Sequence, residues 1–109
     1  MNKNLMKVIV AGILTTGFSL NAMALDGAAL YKNPAKGGCM ACHGPDGKKP
    51  LLPVYPKLAG QNEGYIIQQM KDIKSGARNN GQTAAMKGIM HMVNDEEIAA
   101  IAKYLAGVK

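Results

Sequence analysis

Cys39, Cys42 and His43 stand in the stretch GGCMACHGPDG, which holds both cysteines of the chain and one of its two histidines. Four kinds of chemistry compete for such a cluster. A thiol–disulfide redox pair needs Cys-x-x-Cys at a helix start beside a βαβ pattern, and no strand-like alternation precedes Cys39. A zinc site needs four nitrogen or sulfur ligands, and His91 is the only further strong one on offer. A disulfide between Cys39 and Cys42 would close a tiny loop and stabilise little. The remaining chemistry is covalent attachment of haem, for which Cys-x-x-Cys-His is the signature. Two thiols at this spacing add across the two vinyl groups of one porphyrin edge. The next residue, His43, then offers an imidazole nitrogen to the iron.

A haem iron with one histidine needs a second axial ligand if it is to be closed. AAMKGIMHMVND offers Met86, Met90, His91 and Met92 close together. A thioether raises the reduction potential, and a second imidazole lowers it. Most methionines are flexible core fillers, so at most one of this group is a ligand. Spacing alone does not choose among them.

The elements that must position these residues read as helices joined by irregular loops. Asn94 is a candidate N-cap, with Glu97 three residues on completing a capping box. Asp95, Glu96 and Glu97 suit the positive end of the helix dipole, and Lys103 suits its last turn. Ile98, Ile101, Ala102 and Leu105 form one apolar stripe, and Gly107 is a natural stop. A second helix is expected from Asn62 to Ser75, ended by Gly76, with Ile66, Ile67, Met70 and Ile73 on its apolar side. A short helix fits between Ala24 and Pro34, with Gly27, Leu30 and Tyr31 on one side. From Pro45 to Pro56, four prolines and Gly47 write an extended loop. No segment alternates with period two, so the class is all-α.

The chain starts with Lys3 and Lys7, an apolar run from Val8 to Leu20, and Ala22-Met23-Ala24. This is the pattern of a secretory signal cleaved after Ala24. The run is short of the roughly 20 residues that span a bilayer, so an uncleaved anchor is the weaker reading. Residues 1–24 are thus expected to be a signal peptide and residues 25–109 one exported, periplasmic domain that does not insert into the membrane. A domain this small usually needs a staple, which covalent haem supplies. Without Lys3 and Lys7 the formal charge falls from +6 to +4. No Lys/Arg cluster interleaves with aromatics, which excludes nucleic acid and favours an acidic patch on a protein partner.

CMACHGPDG, YPKLAGQNEGYIIQQMKDIKSGAR (residues 55–78) and NDEEIAAIAKYLAG together resemble the small bacterial class I c-type cytochromes of the c4/c5/c553 group. The resemblance implies three to four helices and loops wrapped around one covalently bound haem c, with the first and last helices crossing. It implies an electron carrier, not an enzyme, shuttling single electrons between membrane-bound respiratory redox proteins, with no small-molecule substrate. It implies Met86 as the distal ligand, nine positions before Asp95 and followed by Lys87-Gly88-Ile89, with Met90 second. It also implies the Pro53 carbonyl as partner of His43, and Tyr55, Tyr65 and Arg78 near haem edges or propionates. Lys32, Lys36, Lys48, Lys49, Lys57 and Lys87 are candidates for a ring around an exposed haem edge. The rival from another class is a small peroxidase-like enzyme or gas-binding protein with an open sixth site, for which His91 is the distal base on offer.

Overall fold

The computed structural model describes residues 25–109, so the expected signal segment 1–24 lies outside the described residues. Among the described residues all regular structure is helical: α1 (Gly27–Lys32), a 3-10 turn (Pro34–Lys36), α2 (Met40–His43), α3 (Glu63–Ser75), α4 (Thr83–Met90) and α5 (Asp95–Ala106).

The two longest helices, α3 and α5, begin and end close to where their residues predict. Asp26 caps α1, its carboxylate accepting from the N–H groups of Ala28 at 3.0 Å and Ala29 at 3.2 Å. Pro34 then opens the 3-10 turn. Gly76, at φ 90°, closes α3 by donating to the Asp72 and Ile73 carbonyls. At α5 the Asn94–Glu97 capping box is complete in both directions.

α1 and α5 cross at Gly27, where an added Cβ would lie 2.0 Å from the Ala100 carbonyl oxygen. Only a residue without a side chain allows that approach, and it brings Tyr31 and Tyr104 to a ring separation of 5.7 Å. Among the described residues the core is Tyr31, Ile66, Ile73, Met90, Val93, Ile98, Ile101, Ala102 and Leu105, drawn from α1, α3 and α5, from the end of α4 and from the turn that follows it. Among the described residues, no helix is long and apolar enough to cross a membrane.

Most of the methionine-rich stretch, for which the sequence pattern named no helix, is α4. Met86, Ile89 and Met90 fall at i, i+3 and i+4 on this helix; Met90 belongs to the core and Met86 packs against it, while Val93 joins the core from the turn beyond.

Candidate cofactor site

Between these elements lies a cavity of about 400 Å3, within the range of small-molecule and cofactor sites. Cys39, Cys42 and His43 all line it. They do so because Cys39 starts a single helical turn, with the Cys42 and His43 N–H groups both donating to the Cys39 carbonyl. One turn places the two thiols on one side of the segment, with the imidazole next to the second.

Gly44 ends that turn at φ 91°, ψ 166°, a conformation essentially reserved to glycine. An added Cβ there would lie 2.4 Å from the Lys49 carbonyl oxygen. The abrupt exit is pinned from α1, where the buried Tyr31 hydroxyl donates to the Gly44 carbonyl at 2.6 Å.

His43 is 4 % exposed. Its Nδ1 stands 3.0 Å from the Pro56 carbonyl oxygen, which accepts only, so Nδ1 carries the proton and Nε2 keeps its lone pair for a metal. Burial holds the His43 pKa below its ordinary value, against a smaller upward pull from the Pro56 carbonyl, so the ring is neutral, as a ligand must be. The expected partner, Pro53, is therefore corrected to Pro56. The Tyr55 N–H donates to the Leu52 carbonyl, and beyond this turn it is the Pro56 carbonyl that meets the imidazole.

Burial pushes the Cys39 thiol up, the reverse of what a thiolate-based redox pair needs. Among the described residues no three His, Cys, Asp or Glu side chains group as a metal site. The remaining lining is mainly apolar, from Tyr31, Ile66, Met70, Ile73, Ile101 and Leu105. Two thiols, one neutral imidazole and a mainly apolar chamber fit a covalently attached haem.

Met86 and Met90, one turn apart on α4, both line the cavity. Met90 is 1 % exposed and belongs to the core, whereas Met86 is half-buried and packs at its edge. His91 and the exposed Met92 are not among the lining residues. Tyr55, Tyr65 and Arg78 do line the cavity, Arg78 with its guanidinium donating to Gln69 Oε1 at 3.1 Å. Of the six candidate ring lysines, Lys36 and Lys57 reach the cavity. Lys36 is paired with Glu97 and Lys48 with Asp46, so the ring of free lysines is thinner than expected.

The sequence reading missed the Pro56 carbonyl, the Lys36–Glu97 pair and α4. Only α4 had a readable signal, its i, i+3, i+4 apolar stripe.

Residues 24–109 match the Cytochrome c family model. The chain is 42% identical over 103 residues to cytochrome c4 of Pseudomonas aeruginosa, covering 94% of this chain and 49% of that protein. It is 37% identical over 100 residues to a thiosulfate dehydrogenase electron acceptor of Stutzerimonas stutzeri, covering 88% of this chain and 45% of that one. The crystal structure of reduced recombinant cytochrome c4 from Pseudomonas stutzeri superposes with a TM-score of 0.67 at 32% identity, covering 76% of this chain and 46% of the other. This chain thus spans about half the length of these relatives. With its helices wrapped around a chamber that presents Cys39, Cys42 and His43, the chain belongs to the cytochrome c family, has the class I fold, and carries covalently bound haem c.

Proposed function

We propose that the protein is a periplasmic one-electron carrier with His43 and Met86 as axial ligands, passing electrons between redox proteins of a membrane-bound respiratory chain. The observation that carries the reading is the single chamber lined by Cys39, Cys42 and His43 from the α2 segment and by Met86 from α4. When bound, the haem supplies a ferrous/ferric couple whose potential depends on its axial ligands and on burial. The chain's own part is to hold that couple still and dry. Cys39 and Cys42 anchor it, and His43 is oriented through Nδ1 by Pro56. Met86 is favoured over Met90 as the distal ligand because Met90 is committed to the core and Met86 is not. Arg78, Tyr55 and Tyr65 at the lining are the groups suited to propionates.

With His43 and Met86 both holding the iron, no place would be left for substrate, as a carrier rather than a peroxidase or gas-binding protein requires. His91, the distal base that the enzyme reading requires, is exposed and does not line the chamber. Export is supported by the signal pattern of residues 1–24, with residues 25–109 as the mature domain, and N-terminal sequencing of the purified protein tests it. The name of the thiosulfate dehydrogenase relative supports a redox enzyme as the kind of donor. With Lys49 and Lys57 exposed and unopposed by carboxylates in residues 47–57, encounter with an acidic partner should slow as salt rises.

The experiment is a pair of spectra. The ferric protein should show the weak sulfur-to-iron absorption at the red edge, and the ferrous protein should bind carbon monoxide sluggishly or not at all. Met86→Ala should lose the band and bind carbon monoxide readily. A band that survives in Met86→Ala makes Met86 the wrong residue.

A further inference from the structure

The segment leading into the thiols meets the helix carrying the methionines along one edge of the chamber. Gly37 has φ 100°, and an added Cβ there would lie 2.3 Å from Ile89 Cγ2. Its bare backbone is therefore pressed against α4. One residue earlier, the Lys36 ammonium reaches Glu97, 3.0 Å from Oε2 and 3.2 Å from Oε1. Glu97 is only 6 % exposed, and its Oε1 also accepts from the Asn94 N–H at 3.0 Å. The turn between Met90 and Asn94 is gripped a second time from α3, where the Lys74 ammonium donates to the Val93 carbonyl. Lys36, Ile89 and Val93 are themselves lining residues of the chamber.

A capping box needs Asn94 and Glu97 and has no use for Lys36. An ion pair that served stability alone would gain nothing from lying at this edge. Here it ties the thiol-bearing segment, 61 residues away in sequence, to the first turn of α5, and through the Asn94 N–H on the same carboxylate to the end of the turn that follows α4. Because Glu97 is buried, removing its cation leaves a carboxylate short of a partner, a far larger effect than breaking an exposed pair.

We propose that Lys36 and Glu97 are positioning residues, a latch that holds α4 against the thiol-bearing segment and so keeps Met86 seated against competing ligands. This rests on the reading of Met86 as the distal ligand. The methionine itself closes the sixth position to small molecules, and the latch sets how often it lifts away.

Carbon monoxide and the ferrous holoprotein form the test. Lys36→Met should bind carbon monoxide about tenfold faster than the parent, the effect expected of losing a charge-assisted hydrogen bond. Lys36→Arg, which can remake the pair, should return to the parent rate. Glu97→Gln keeps an acceptor for the Asn94 N–H and loses only the ion pair, so it should match Lys36→Met. The double variant should be no faster than either single one, because both remove one interaction. Ala102→Gly is the control: it weakens buried α5 outside this edge by about as much as a helix glycine does, and should leave the rate alone. An Ala102→Gly protein as fast as Lys36→Met would reduce the latch to global stability and overturn it. So would parent-like rates in Lys36→Met and Glu97→Gln while Met86→Ala still loses its band, a result that spares the Met86 reading. A band persisting in Met86→Ala removes both.

Discussion

The two segments that close the chamber are built on different principles. The α2 side, from Cys39 to Leu58, is almost without regular structure and is held by isolated bonds. Leu51 N–H donates to the Cys42 carbonyl at 2.8 Å, Leu58 N–H to the Gly47 carbonyl at 2.9 Å, and Tyr31 to Gly44. Its outer surface is apolar and open, with Leu51 70% and Val54 65% exposed. The side formed by α4 and α5 is regular helix held by buried Met90, Val93, Ile98, Ile101 and Leu105. The contrast follows from the task of each. The α2 side must fix two thiols and an imidazole that are neighbours in sequence, so local backbone geometry suffices. On the proposed His43/Met86 ligation the α4 side must deliver one thioether from a distant part of the chain, and only tertiary packing can do that. The first side should therefore tolerate side-chain changes on its surface and fail on small backbone changes, and the second the reverse.

The largest expected effect is at Gly44. Gly44→Ala should lower stability by about 3 kcal/mol or more, since a glycine-only conformation costs roughly 1–3 kcal/mol and the Cβ also meets the Lys49 carbonyl. Leu51→Ser, seven residues on, should fall within about 0.5 kcal/mol of the parent. Denaturant unfolding of both holoproteins checks the pair, and equal losses would erase the contrast. On the α4 side, Met90→Ala should cost about 2–5 kcal/mol by leaving a cavity, while Met90→Leu should cost less than about 1.5. Both should keep the sulfur-to-iron band; its loss in Met90→Leu would move the distal ligand from Met86 to Met90.

The same contrast explains what could be read from the sequence. Cys39, Cys42 and His43 were legible because their chemistry depends on spacing within one turn, and a string of letters records spacing directly. The capping box at Asn94 and the Gly76 stop were legible for the same reason. The His43 acceptor was not. Among closely spaced prolines, which carbonyl returns to the imidazole depends on the turn at residues 52–55, and the pattern does not specify that turn. Met86 and Met90 are the harder case: both sit on one helical stripe, and burial in three dimensions separates them. The Lys36–Glu97 pair joins residues 61 apart, and nothing local marks either as a partner.

Smaller effects probe how the two sides are joined. Tyr31→Phe removes the hydroxyl from the Gly44 carbonyl, leaving that oxygen with only the long 3.4 Å bond from Gly47 N–H. The ring stays packed on Tyr104, so the loss should be about 1 kcal/mol, the worth of one buried hydrogen bond. Amide exchange at Gly44 and Gly47 should quicken while that in α5 beyond the Tyr104 contact is unchanged. Uniform quickening would mean that Tyr31 supports the whole core rather than the exit from α2.

The smallest effect is a pH dependence, and its sign follows from Glu97. The Asn94 N–H, then the Lys36 ammonium, hold its carboxyl below the usual carboxylate range. The folded chain therefore binds this proton more weakly than the unfolded chain, whose glutamate titrates near about 4.3. The stabilisation is fully present above that value and is lost as pH falls through the lower folded one. Thermal unfolding of the parent and of Glu97→Gln should accordingly differ most near neutrality and converge as pH drops below about 4. Convergence ties the α5 cap to the thiol-bearing segment through a charged carboxylate. No gap between the two at any pH would mean that Glu97 contributes only the Asn94 hydrogen bond that glutamine keeps, and that the two sides of the chamber are joined by packing at Gly37 and Ile89 alone.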